Sequence, residues 1–494
     1  MTAGRTHDAP RGRAAADGFN GAAGKETSTH MSTTHTPARA RPGNPLVYAI
    51  AAISALGGLL FGYDTGIISS ALLVIGDDFH LGSGMKEVVT STILVGAIVG
   101  ALAAGALADR FGRRRVLFAV AIVFAVGAVA AALAPDVTAL IAARFVLGLS
   151  VGGASGMVPV YIAELAPARI RGGLMVFFQL MVAVGQLVSY LVGYALAQPG
   201  GWRWMFALAA VPSVVLYVGM LFLPESPRWL IKRGRPDDAL AVLRRVREPG
   251  DDTAAELAEI QQVEASENSG GWRELTRPWV RPALVVGFGI AMFSQITGIN
   301  AMVYYAPTML SEAGFGDDAS MLAGVGVGIA LVVAAAVGTV LVDRIGRRRI
   351  LLWLLPGSAL SMALLGLAFA APVLSPALWW VVIVGLIAYI AFNGGSIQVV
   401  VWLLGPEVFP LSVRGVAMSL ASVAVWAFDL LIALTALSTI EAIGRTGLFL
   451  LYAAMNVLCW VFVYYLVPET KGRALEDIER ALMSPGNFRR NLDG

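Results

Sequence analysis

GALADRFGRRR (residues 105–115) and GTVLVDRIGRRR (residues 338–349) are near-copies of one another, each closing a long apolar run. Each packs four arginines into seven positions, 109–115 in the first copy and 343–349 in the second. Clustered arginines at the end of an apolar segment stay on the cytoplasmic side of a bilayer, so both copies are expected in the cytoplasm. Connectors of the other parity, such as QPGGW and APVLSPAL, carry few basic residues. The same order of features recurs around both copies. Glu164 and Arg171 in YIAELAPARIRG stand seven residues apart, as do Glu407 and Arg414 in GPEVFPLSVRG. PESPRWL (224–230) follows the first set and PETKGR (468–473) the second, and matched features lie 234 to 244 positions apart. The chain is an internal duplication.

The apolar runs between these markers say what is duplicated. Of 494 residues 57% are hydrophobic and 14% charged, against about 25% charged in soluble domains. Glycine is abundant, at 55 residues, which suits close helix packing in lipid. Segments long enough to cross about 30 Å of hydrocarbon are expected near 46–75, 88–108, 116–134, 137–160, 174–197 and 204–223. A second set follows near 283–310, 319–342, 350–371, 378–404, 414–440 and 447–467. The reading is an all-α integral membrane protein, with twelve spans in two pseudo-symmetric six-helix halves and both termini cytoplasmic. Too many runs lack a polar face for a soluble helical core. The parts are an N-terminal tail (1–44), read as disordered, a first half (45–223), a polar helical linker (224–281), a second half (282–467) and a C-terminal tail (468–494). The N-terminal tail lacks the apolar region of a signal peptide and contains Met31, an alternative start. Two related halves imply a ligand site between them near the midplane, opened alternately to each face, which is a transporter's plan.

Several chemistries drop out. A formal charge of +3 argues for no nucleic-acid partner, and the single cysteine, Cys459, sits in an apolar run and reads as packing. With four histidines, all outside the spans (His7, His30, His35, His80), there is no His/Cys cluster for a metal. No nucleophile with base and orienter, and no phosphate loop, suggests an enzyme, and no cofactor is expected. A monomer in the bilayer of the inner (plasma) membrane is the simplest reading.

FGYDTG (61–66), PESPRWL, QITGIN (295–300) and PETKGR together resemble the sugar porter family of the major facilitator superfamily, over roughly residues 45–480. The resemblance implies import of a monosaccharide or polyol, and short cytoplasmic helices in 224–281 that brace the two halves. Leu240, Leu243 and Val246 give one of those helices an apolar stripe independently.

Proton coupling needs a titratable group inside the membrane. The acids near mid-span are Asp64 and Asp429, and the comparably deep base is Arg144. Asp64 lies 11 residues before Ile75 and Arg144 seven after Val137, depths that differ by about 6 Å at 1.5 Å per residue. Pairing would relieve both desolvation costs. Asp64 is therefore expected to carry the proton and Arg144 to tune it; a purely structural buried pair is the other reading. The resemblance implies the same acid–arginine pair, as in proton symporters of the family. Counting back from Glu407 as Arg144 stands from Glu164 reaches Ile387, so the second half lacks this arginine and is free to bind substrate.

Sugars call for amides that pair with hydroxyls and rings that stack on C–H faces. Gln179 and Gln186 share a helix face, and Gln295, Asn300 and Tyr304 follow in the seventh span. Gly298 between them permits a helix break. Phe61, Trp402 and Trp426 supply rings. Interhelical bonding and packing is the other reading of each residue alone; as a set they match the family's binding positions. Three positions depart from the family: Ser294 replaces the first of two glutamines, Gln398 and Val399 stand where Gly-Pro is common, and Asp429 replaces an asparagine. Asp429 is expected to accept from a polyol, attract an amino sugar or bind a second proton; an incidental acid facing water is the bland alternative.

At the arginine-bearing end, Asp109, Arg110, Arg113, Glu164, Arg171 and Glu225 are matched by Asp343, Arg344, Arg347, Glu407, Arg414 and Glu469. They are expected to latch that face shut through bidentate contacts, beside a role in topology and helix-end electrostatics. The rivals to a proton symporter are an uncoupled facilitator and, less in keeping with a tail of about 20 residues after Arg473, a sugar sensor.

Overall fold

Glycines 112 and 346 end one helix and start the next at both copies of the repeat, with φ of 99° and 105°. A computed structural model describes residues 44–266, 274–370, 376–410, 412–473, 475–486 and 488–493; the tail read as disordered lies almost wholly outside the described residues. The first half holds α1 (Pro45–Asp78), α2 (Ser83–Phe111), α3 (Arg113–Ala132), α4 (Val137–Leu165), α5 (Ala168–Ala195) and α6 (Trp202–Phe222). The polar stretch holds α7 (Pro227–Lys232), α8 (Pro236–Val246) and α9 (Thr253–Ser266). In the second half the seventh span is broken into α10 (Arg281–Ile296) and α11 (Ile299–Leu310), followed by α12 (Asp317–Ile345) and α13 (Arg347–Phe369). The tenth span is broken too, into α14 (Pro376–Gly394) and α15 (Ile397–Val408). Then come α16 (Arg414–Leu466), α17 (Leu475–Met483) and α18 (Phe488–Asp493).

Among the described residues, eleven helical segments are long and apolar enough to cross a membrane. One of them, α16, has 53 residues and would run about 80 Å if straight. Gly444 (φ 74°, ψ 167°) breaks it into two arms, each long enough to cross, which makes twelve crossings. The sequence reading separates these arms by a loop at 441–446; the helix instead turns at a single glycine.

Local chemistry sets the ends. Asn44 caps α1, accepting from Leu46 N at 3.0 Å, with Pro45 in the first turn, and Asp136 caps α4 through Ala139 N at 2.8 Å. α3 and α13 take their caps from far along the chain. Glu225 accepts from Arg114 N at 3.1 Å, and Glu469 from Arg347 N at 2.8 Å and Arg348 N at 3.2 Å. A carboxylate there answers the free N–H groups and the positive end of the helix dipole. A Cβ at Gly112 or Gly346 would strike that carboxylate, at 2.3 and 2.4 Å.

Within the first half α1 packs on α5, α2 on α4 and α3 on α6; within the second α10 packs on α16, α12 on α14 and α13 on α16. α2 and α4 approach closely: a Cβ on Gly148 would lie 2.1 Å from Ile93 O, and one on Gly152 2.0 Å from Ala97 O. Trp353, Trp380 and Phe222 are about 70% exposed, at 67, 70 and 71%, as lipid-facing side chains would be. Leu243 and Val246 of α8 are buried, and the linker bonds to the first half: Trp229 Nε1 to Asp109 O (3.0 Å), Arg247 Nη1 to Leu165 O (2.8 Å) and Asn44 Nδ2 to Arg245 O (2.7 Å). Cys459 is buried.

The two halves meet through α2 on α16, α5 on α12 and α1 on α11. We call the end carrying the arginine clusters the basic end and its opposite the far end.

Candidate functional site

Between the halves, near mid-helix, lies a cavity whose empty space, open solvent included, is about 730 Å³. α1 contributes Phe61, α5 Gln179 and Gln186, and the broken seventh span Gln295 and Asn300. α15 adds Trp402, and the first arm of α16 adds Trp426 and Asp429. The helix break expected at Gly298 is present, with φ 98° in the left-handed region, and the Tyr452 ring packs where a Cβ would stand. That break turns Asn300 back onto Gln295, donating to its Oε1 at 2.7 Å. Tyr304 is not among the lining residues; its hydroxyl donates to Asp429 Oδ2 at 3.0 Å. Phe61 and Trp426 pack with ring centroids 5.2 Å apart. Gln398, treated in the sequence as a departure from pattern, also lines the cavity and donates to Ser294 O at 2.6 Å. It lies just past the second helix break, at residues 395–396, which the sequence reading does not anticipate.

Toward the far end the cavity is stopped by buried segments, residues 62–72 of α1 and 301–310 of α11, so its route to water runs to the basic end. Bonds between the halves reinforce that closure. Glu87 of α2, 3% exposed, accepts from Ser438 N at 2.9 Å and Ser438 Oγ at 2.5 Å on α16. Tyr190 OH donates to Val303 O at 2.9 Å, and Lys86 pairs with Glu312 at 3.6 Å. Glu87 and Ser438 are absent from the sequence reading, which starts the second span after the charges at 86–87; the helix begins at Ser83.

Asp64 and Arg144 come together, both wholly buried, with Arg144 Nη2 3.7 Å from Asp64 Oδ2. The pair is a charge contact beyond hydrogen-bond distance. Arg144 also donates through Nε to Val89 O at 2.7 Å and through Nη2 to Thr90 O at 3.4 Å, near the start of α2. One side chain thus touches the buried acid and the helix that carries Glu87.

The charges at the basic end form two clusters, each inside its own half. Arg113 meets Glu164 at 3.1 Å and Asp109 at 3.2 Å. Arg347 meets Glu407 at 2.7 Å and Asp343 at 3.3 Å, and Thr470 donates to Glu407 at 2.6 Å. Glu225 and Glu469 are helix caps, as above. Arg414 donates to Phe409 O at 3.1 and 3.2 Å, within its own turn. Arg110 and Arg344 are exposed. The Arg171 side chain lies outside the described residues. With the cavity open toward this end, the clusters stand as separate halves of the expected latch.

The arrangement, neutral amides and indoles around one carboxylate with a buried acid–arginine pair beside it, suits a hydroxyl-rich solute. The chain matches the pattern of the family described as sugar (and other) transporter over residues 50–482. It is 41% identical to a D-xylose transporter of Levilactobacillus brevis, covering 87% of this chain and 94% of that one. It is 40% identical to the glucose transporter GlcP of Staphylococcus epidermidis, covering 88% and 97%. Among solved structures it is similar to the proton:xylose symporter XylE of E. coli bound to 6-bromo-6-deoxy-D-glucose, with a TM-score of 0.75 and 30% identity over 90% of this chain and 100% of that one. The chain is a multi-pass membrane transporter and belongs to the sugar porter family of the major facilitator superfamily.

Proposed function

We propose that the protein imports a monosaccharide or polyol across the plasma membrane by proton symport, with both termini and the basic end in the cytoplasm. The observation that carries this reading is the buried Asp64–Arg144 pair at 3.7 Å beside an amide-lined cavity. Names borne by similar proteins, a D-xylose transporter, a glucose transporter and a proton:xylose symporter, support it. In this reading Gln179, Gln186, Gln295 and Asn300 exchange hydrogen bonds with hydroxyls, Trp402, Trp426 and Phe61 stack on C–H faces, and Tyr304 holds Asp429.

Asp64 is the proton carrier. A proton on Asp64 removes the charge that holds Arg144 there and leaves its guanidinium to the Val89 and Thr90 carbonyls. Those carbonyls lie within one turn of Glu87, whose bonds to Ser438 tie α2 to the other half. A change at the pair therefore bears on the closure of the far end. At the basic end Asp109, Arg110, Arg113, Glu164, Arg171 and Glu225, with Asp343, Arg344, Arg347, Glu407, Arg414 and Glu469, form the gate that closes when the far end opens.

Uptake of labelled D-xylose, D-glucose and myo-inositol into proteoliposomes, with and without an imposed pH gradient, tests this. Accumulation above equilibrium only with the gradient is the expected outcome. Equal uptake in both cases identifies an uncoupled facilitator.

A further inference from the structure

Asp429 is the one formal charge among the described residues that line the cavity. It is 3% exposed, and the Tyr304 hydroxyl occupies Oδ2. Oδ1 is buried with no hydrogen-bond partner, as is the Trp426 indole N–H beside it. The Asn300 amide donates one N–H to Gln295 Oε1 and lies within hydrogen-bonding reach of the Asp429 carboxylate with the other. The surrounding elements bring no cation to this oxygen. α5 offers Gln179 and Gln186, α10 Gln295, and α15 Gln398 and Trp402. α11 presents Tyr304 and Tyr305, the latter donating to Ala433 O at 2.6 Å. Arg144 of α4 lies within electrostatic reach of Tyr304, but it is taken by Asp64 of α1 and the carbonyls of α2. Glu87 of α2 is bonded to Ser438, nine residues along α16, about 13 Å away at 1.5 Å per residue. The arginines of α13 lie at the basic end with Glu407 and Glu469.

Asp429 is almost wholly shielded, and the contact it keeps is with the open cavity. A neutral sugar covers that contact and brings no charge in its place, which leaves a carboxylate desolvated and unpaired. We infer that Asp429 is a second proton-binding group of this transporter, taking a proton from the water of the cavity as a neutral sugar enters and returning it as the sugar leaves. This rests on the reading of the cavity as the sugar site. The protonated oxygen then donates to a sugar hydroxyl, so the same atom satisfies itself and its ligand. Sugar binding is thereby linked to protonation without Asp64.

The test uses the full-length protein in detergent, with D-xylose, D-glucose, myo-inositol and D-glucosamine as probes. Affinity is measured between about pH 5 and 9, and calorimetry in buffers of different ionisation heat counts protons. In Asp64→Asn, neutral-sugar affinity is expected to fall by up to about tenfold per pH unit at the upper end, with uptake approaching one proton per sugar. Adding Asp429→Asn flattens both. In the otherwise wild-type protein, Asp429→Asn alone lowers the proton count by the same amount. Binding in Asp64→Asn that is flat with pH and takes up no proton overturns the inference. D-glucosamine, whose ammonium answers the carboxylate, is expected to bind with less proton uptake than D-glucose, and uptake as large for it as for D-glucose overturns the inference. A wild-type protein that binds none of the four probes at any pH overturns the sugar-site reading and this inference together.

Discussion

Asp64 and Asp429 are the same residue type, both buried near the middle of their helices, one in each half, and their neighbours give them different work. Asp64 faces a guanidinium and is wholly buried, so in the proposed mechanism the loss of its charge is felt by Arg144 and α2. Asp429 faces a phenol, an amide and the cavity, so its charge is answered by whatever enters. A buried carboxylate with a cation acts on the protein; one without acts on the ligand. The repeat offset carries Asp64 into the seventh span and Asp429 back to Gln186 of α5, and the arginine of α4 to Ile387, so the two acids are not copies of one site.

The comparison can be broken most directly at Asp64. Asp64→Asn is expected to cut gradient-driven accumulation in proteoliposomes to what a proton on Asp429 alone carries, while sugar counterflow continues; accumulation at wild-type level would remove the distinction between the two acids. Next in size is Arg144→Met. It leaves the Asp64 charge without its partner, at a cost of about 3–5 kcal/mol, read as a lowered unfolding temperature in detergent. Asp64→Asn combined with Arg144→Met should recover most of that loss, whereas additive losses would deny the pairing energetic weight.

A third change cuts the line from Asp64 outward. Glu87→Ala removes the acceptor of two bonds to Ser438, one worth about 1.5–3 kcal/mol when the acceptor is charged. Such a loss would shift the closed far end toward open by about ten- to a hundredfold. Leu310→Cys, buried at the far end, reports it: labelling by an impermeant thiol reagent should rise, and Cys459 is buried and contributes little background. Unchanged labelling would place the closing force elsewhere. The smallest effect tests the floor of the Asp429 cavity. Gln398→Ala removes one hydrogen bond of about 1 kcal/mol, so sugar affinity measured by tryptophan fluorescence should weaken roughly fivefold.

What the sequence made legible follows from rarity. A charge or a helix-breaking glycine in a long apolar run has few explanations, so Asp64, Arg144, Asp429 and Gly298 stand out, and the duplicated arginine clusters lay out both halves. What it hid were residues whose meaning depends on a distant partner. Glu87 sits beside Lys86 and reads as loop charge until Ser438, 351 positions on, is brought against it. The capping by Glu225 and Glu469 is hidden in the same way, because the N–H groups they accept from lie 111 and 122 positions away. The break at 395–396 leaves a weak mark, because its glycines sit in a run whose apolar character continues on both sides. Gly444 was likewise one glycine among 55, and only its φ shows that one helix turns there to make two crossings.

The backbone contact between α2 and α4 at Gly148 and Gly152 has a mechanical consequence. Where backbone lies on backbone there is no flexible side chain to yield, so displacement passes through undiminished. The first half, built this way, is a stiff lever, whereas the helix breaks at Gly298 and residues 395–396 both lie in the second half. A small shift at the Asp64–Arg144 pair would be carried along that lever to its basic end, where Arg113 stands.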